Sequence, residues 1–172
     1  MMNCSVRSLS VLVLGGLLSA PVGAEELLPP KGEIILTVTG DIAATNEGDS
    51  AVFDQEMLSG LGEVSFATTT PWTEGPQEFT GVPLQSLVEA LGVTGGTIRA
   101  TAINDYAIEV PVTDAVQGGP ILAYLQNGAP MSVRDKGPLW LVYPYDLNQD
   151  YQTEVIFSRS IWQLVRLDVA AD

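Results

Sequence analysis

Strand-like patterning dominates this chain. Glu33–Thr39 (EIILTVT) is rich in β-branched residues and predicts a strand closed by Gly40-Asp41. Glu63–Thr68 alternates apolar and polar positions, as a half-buried strand does. Thr97–Ile103 and Ala107–Pro111 read as strands joined by the turn Asn104-Asp105-Tyr106. Ile121–Gln126 runs into the tight turn Asn127-Gly128, Leu139–Tyr143 reads as a buried strand, and Ile161–Val169 as a final one. Helical spacing is clearest in Pro83–Leu91: Pro83 suits the first turn, Leu84, Leu87, Val88 and Leu91 share one face, and Gly92 ends the element. The pattern also predicts a helix over Asp49–Leu61, with Asp49 or Ser50 as N-cap and Val52, Phe53, Met57 and Leu61 on one face. Thr113–Val116 reads as a short helical turn and Thr69–Phe79 as a polar loop. Strands and short helices do not alternate regularly, and neither a repeat nor a dividing linker is visible. The expected fold class is therefore α+β, a mixed sheet with short helices in a single domain.

Residues 1–24 read as a secretory signal peptide: Arg7 supplies a positive start, Leu9–Leu18 a short apolar run, and Val22-Gly23-Ala24 small residues for cleavage. The run is too short for a stable membrane span, so periplasmic export without membrane insertion is expected. About 148 residues (25–172) remain, enough for one domain with one core. The formal charge of the whole chain is −14, and loss of Arg7 makes it one unit more negative. Such a surface repels phosphate backbones and anionic headgroups, which argues against nucleic acid and lipid as partners. With 46% apolar and 16% charged residues the chain is nonetheless globular rather than a disordered acidic tail.

Histidine is absent, and the single cysteine, Cys4, falls inside the predicted leader. Zinc sites, Ser-His-Asp triads, cysteine nucleophiles and dithiol redox chemistry all need those side chains. The alternating acids and amide of Asp146, Asn148 and Asp150 lack the glycine and the bidentate glutamate of a calcium loop and read as a solvated turn. On these grounds the expectation is a protein that is not an enzyme and carries no covalently or metal-bound cofactor.

Recognition capacity is concentrated between Asn127 and Trp162. The segment holds Arg134, Lys136 and Arg159, two of the three tryptophans and three of the five tyrosines, within otherwise acidic, aromatic-poor sequence. Cations beside flat rings suit a planar, polar small molecule.

Several phrases occur in a telling order: Phe79-Thr-Gly-Val-Pro-Leu84 before a leucine-rich helix, the Asn104-Asp-Tyr106 turn, Leu122 to Met131 (LAYLQNGAPM), Gly137 to Pro144 (GPLWLVYP), and Ser160-Ile-Trp162. Together they resemble the molybdopterin-binding domain of the sulfite oxidase family over roughly residues 34–169. That resemblance implies the corresponding fold and a cofactor pocket. Oxidoreductases of the family hold molybdenum through a cysteine thiolate in the loop after the second strand. In this chain that loop is Phe66–Trp72, and Thr68 or a neighbour stands in the cysteine's place. A hydroxyl is a poor substitute for a thiolate on a soft, high-valent metal. The usual histidine and basic clasp for the cofactor's pyrophosphate is largely missing too. The chain looks like a small, exported, cysteine-less branch whose members are implicated in binding pterins and acting on a membrane-bound cyclic-di-GMP enzyme or related sensor.

A pterin is planar with a donor–acceptor edge, so it calls for an aromatic platform and an acceptor for its exocyclic amine. The candidate ligand residues are Thr68, Thr70 and Trp72 in one loop, Asn104, Asp105 and Tyr106 in the turn, and Arg134, Lys136, Tyr143, Arg159 and Trp162 in the aromatic-rich segment. Trp140 is expected in the core. The leading expectation is a periplasmic pterin-binding protein that relays occupancy to the periplasmic domain of a membrane sensor or cyclic-di-GMP enzyme. The alternatives are an exported molybdenum-cofactor oxidoreductase and a ligand-free interaction module.

Overall fold

The computed structural model describes residues 27–171, so the predicted leader lies outside the described residues. The chain order is β1 (Leu36–Gly40), β2 (Ala51–Phe53), α1 (Gln55–Gly60), β3 (Val64–Thr68), β4 (Gln77–Pro83), α2 (Leu84–Ala90), β5 (Thr97–Ala102), β6 (Ala107–Pro111), β7 (Ile121–Gln126), β8 (Ala129–Pro130), β9 (Leu139–Val142), α3 (Glu154–Arg159) and β10 (Trp162–Ala170). The strands form one mixed sheet, with a main path β2-β1-β10-β9-β7-β4-β3 and β5–β6 branching from β10. It is a single domain of the α+β class.

Strand β10 organises the sheet. One of its edges is divided: Trp162 and Leu164 pair with β9, while Arg166 to Val169 pair in parallel with β1. The other edge carries β5 in antiparallel register from Leu164 to Ala170. Gly40, at φ +91°, lies against Val169 so closely that a Cβ would collide with its carbonyl oxygen. Only glycine allows that approach. The core fills around β9, whose four residues are all buried, with Leu36, Val38, Phe53, Phe79, Val82, Leu87, Ile98, Leu122 and Leu164 against it.

The helix expected over Asp49–Leu61 is shorter than predicted. Ala51–Phe53 instead pairs with β1, because β-branched and aromatic side chains gain a fully buried position there. The cap is neither Asp49 nor Ser50 but Asp54, whose carboxylate accepts from Met57 N at 2.9 Å. Two elements carried no visible pattern. Gln77–Pro83, whose first three residues read as the end of the polar loop, follows Pro76, contains Gly81 and ends on Pro83, yet it is an interior strand between β3 and β7. The six-residue helix α3 is too short to show a period, and its start is marked by Thr153 capping Ile156 N.

Asp54 also accepts from Lys31 N at 2.8 Å and Gly32 N at 2.7 Å, tying the N-terminal segment to α1. The bond from Met57 N, then that from Gly32 N, holds its carboxyl below the ordinary range despite burial. A depressed folded-state value means that the contribution is present above the unfolded value and lost as pH falls through the folded one. Asp54→Ala is expected to cost about 1–2 kcal/mol at pH 7 in urea unfolding, with the deficit shrinking as pH is lowered below about 4.

Candidate functional site

A cleft of about 530 Å3 opens where the start of β10 meets α3. Trp162 and Gln163 come from β10, Ala102 from the end of β5, Asn104 and Tyr106 from the following turn, and Glu154, Phe157 and Ser158 from α3. Trp72 reaches it from the β3–β4 loop. The indole of Trp72 lies 5.5 Å from Trp162, 5.9 Å from Trp140 and 5.9 Å from Phe157, edge-to-face in each case. Such contacts orient large rings by their quadrupoles as well as by area. Trp140 is fully buried beneath, and Trp162 is 36% exposed, so one indole is core and the other a wall.

Gln163 fixes this geometry in a way its residue type does not advertise. It adopts φ +53°, left-handed for a non-glycine, where the β9 register shifts. Its N–H donates to Lys136 O at 3.0 Å, its carbonyl accepts from Ile103 N at 2.9 Å, and its Nε2 donates to Val133 O at 2.7 Å. Three bonds thus hold a disfavoured conformation at the cleft wall.

The β3–β4 loop is held from the opposite end of the sequence. Thr68 is fully buried, and its Oγ1 accepts from Asp146 N at 3.1 Å. Asp146 accepts from Thr69 Oγ1 at 2.7 Å and from Thr69 N at 2.6 Å, and these bonds keep its carboxyl below the ordinary range. Thr70 Oγ1 accepts from Trp72 N at 3.1 Å and sits 2.8 Å from Thr73 Oγ1. A smaller hollow of about 240 Å3, lined by Thr69, Thr70, Asp146, Tyr145 and Gln152, shares Phe157 with the main cleft. The Tyr145 hydroxyl is pushed up to about 12 by burial.

The structure brings Trp72, Asn104, Tyr106 and Trp162 together on the main cleft, and places Thr68 and Thr70 behind Trp72 as loop supports. It separates the rest. Asp105 is exposed and pairs with Arg166 at 3.1 Å. Arg134 is exposed and lines no part of the cleft. Lys136 does not line it either, but its ammonium sits 5.4 Å from the Trp140 ring and 5.8 Å from the Trp162 ring. Arg159 and Tyr143 belong to another cluster: Arg159 Nη1 bridges to Asp114 at 2.8 Å, and the buried Tyr143 hydroxyl donates to the same carboxylate at 2.8 Å. Burial, then the Asp114 charge, raises the tyrosine. Both had been expected at the ligand because cations and rings share that segment. Helix α3, unforeseen, turns Arg159 toward Asp114, and Tyr143, just after β9, reaches the same carboxylate. Glu154, Phe157 and Gln163 were missed for the converse reason.

A family model described as the oxidoreductase molybdopterin binding domain matches residues 54–148. The chain belongs to this family. Among solved structures, the sulfane dehydrogenase SoxCD from Paracoccus pantotrophus is similar, with 19% identity and a TM-score of 0.57. The match covers 80% of this chain and 38% of that one, so this chain spans well under half of that structure, and the likeness establishes the fold. No curated protein matches the chain.

The family overturns two expectations, that the chain is not an enzyme and that it carries no metal-bound cofactor. Both had been argued from the protein's own side chains. A bound cofactor carries its chemistry with it, so missing histidine and thiolate do not exclude an oxidoreductase. Among the described residues no group of three or more carboxylates is placed to hold a metal.

The Asp114–Arg159–Tyr143 cluster anchors the C-terminal end of α3, with Arg159 and Asp114 side chains 24% and 15% exposed. Asp114→Ala leaves a half-buried guanidinium and a buried hydroxyl without their partner. It is expected to cost about 2–3 kcal/mol in denaturant unfolding, near the lower bound for broken buried pairs.

Proposed function

We propose that this chain is an exported oxidoreductase domain that binds a molybdopterin cofactor, with the pterin ring in the cleft between Trp72, Trp162 and α3. One observation carries this reading: aromatic walls and a polar rim enclose about 530 Å3 in a chain of the molybdopterin-binding family. The residues present fit the ring. Trp72, Trp162 and Phe157 offer aromatic surface, while Asn104, Glu154 and Ser158 offer polar atoms. For the metal the described residues supply hydroxyl and carboxylate oxygens and no thiolate, so the metal is carried by the cofactor itself.

When bound, the cofactor supplies the redox chemistry. The chain's own residues position the ring and exclude water from it. Lys136 lends positive charge behind the Trp162 indole. Thr68 and Asp146 keep the Trp72 loop in place.

We further propose, from the resemblance of the sequence to exported cysteine-less members of the family alone, that pterin occupancy of the same cleft is relayed to the periplasmic domain of a membrane sensor or cyclic-di-GMP enzyme. Occupancy-dependent crosslinking to a membrane protein, lost in Trp72→Ala, would support it.

For the main reading, the full chain is produced in a host that makes the cofactor, and its pterin and molybdenum are measured after purification. Both are expected near one per chain. Trp72→Ala is expected to lower pterin occupancy about tenfold or more, as loss of a stacking ring does, and Arg134→Ala to leave it unchanged. Wild-type chain that retains neither pterin nor molybdenum would overturn the proposal.

A further inference from the structure

Glu154 is the one acidic residue on the lining of the main cleft, and no lining residue is basic. It begins α3, is exposed, and its carboxylate makes no hydrogen bond or ion pair with the described residues. Four positions on, Ser158 shares its face of the helix and also lines the cleft. The Ser158 hydroxyl donates to Val155 O at 2.7 Å, so it turns lone pairs, not a proton, toward any ligand. Asn104 is complementary. Its Oδ1 is engaged by Tyr106 N at 3.2 Å, which leaves the Nδ2 protons free. Of these three side chains, Glu154 and Ser158 offer acceptors, the first of them charged, and Asn104 an amide donor; the Tyr106 hydroxyl and the Gln163 Oε1 also stand on the lining.

We infer that Glu154 is the specificity-determining residue of the cleft, and that it selects heterocycles presenting an N–H and an exocyclic amine side by side, the 2-amino-4-oxo pyrimidine edge. This rests on the reading that the cleft receives a pterin ring, and adds which edge of the ring is read and by what. A carboxylate takes two parallel N–H donors in a bidentate, charge-assisted pair. An oxo group in place of the amine puts an acceptor against the carboxylate and turns attraction into repulsion. The Asn104 amide suits the 4-oxo group and Ser158 a remaining N–H. No basic residue lines the cleft, and Lys136 reaches only the Trp162 ring of its wall, so Glu154 is the charged group that the ring's donors meet on the lining.

The test uses two probes of nearly equal shape, pterin (2-amino-4-oxopteridine) and lumazine (2,4-dioxopteridine), titrated calorimetrically into the full chain freed of bound ligand. Wild type is expected to prefer pterin by about tenfold or more, the scale of one charge-assisted pair. Glu154→Gln, at an exposed position without partners, is expected to fold normally and to bring the two affinities within about twofold, since an amide presents both donor and acceptor. Equal binding of the two rings by wild type, or an undiminished preference in Glu154→Gln, would overturn the role of Glu154 while leaving the cleft reading intact. Failure of wild type to bind either ring would remove the cleft reading and this inference with it.

Discussion

Strand β10 must satisfy three neighbours with two edges, and the rest of the molecule follows from how it does so. Its first residues pair with β9 and its last with β1 on one edge, while β5 runs along the other. The pairing with β9 is irregular between Trp162 and Leu164, at Gln163, whose left-handed backbone is held by bonds to Lys136, Ile103 and Val133, and the edge passes to β1 from Arg166. The same irregularity leaves Trp162 on the wall of the cleft while Trp140, opposite it in the ladder, stays in the core. Sheet geometry and site geometry are therefore one problem with one solution.

Around that bulge the site is assembled from pieces that contribute different physics. The indole of Trp72 is clamped among three other rings, and its loop is tied by the Thr68–Asp146–Thr69 bonds to the chain leaving β9. Helix α3 contributes polar atoms on its cleft face and spends Arg159 on Asp114 behind it. The cleft is consequently aromatic where rigidity is cheap and polar where the helix surface is open. That division suits a flat heterocycle with a hydrogen-bonding rim.

Much of the fold was legible in the residues. The strands expected over Glu33–Thr39 and Thr97–Ile103 and the helix expected over Pro83–Leu91 appear as Leu36–Gly40, Thr97–Ala102 and Leu84–Ala90, and with the turn at Asn127-Gly128 they follow from local preference agreeing with the final structure. Where local preference and tertiary demand disagreed, the pattern misled. Val52 and Phe53 fit a helix face equally well, but β1 had an edge to fill. The polar loop expected over Thr69–Phe79 ends too late, because Gln77–Phe79 opens β4, which β3 and β7 flank on both sides. Among the candidate ligand residues, Trp72, Asn104, Tyr106 and Trp162 share the cleft, while Arg134, Tyr143 and Arg159 do not. Clustering in sequence was a good guide to rings that must pack together. It was a poor guide to the cations: Arg159 follows the Asp114 carboxylate, Arg134 is exposed, and Lys136 sits over the Trp140 and Trp162 rings.

By itself the sequence determined the fold class, the family, and the kinds of side chain available for chemistry, because periodicity, turn residues and composition are local properties. It also set the acidic character of the surface and the absence of histidine. Only the tertiary structure decided which of those side chains meet. Glu154 and Gln163 entered the site, and Arg159 left it, through the docking of a six-residue helix and a single left-handed residue. Neither leaves a periodic trace in the chain, since both are stabilised by contacts made with distant segments rather than by their own neighbours.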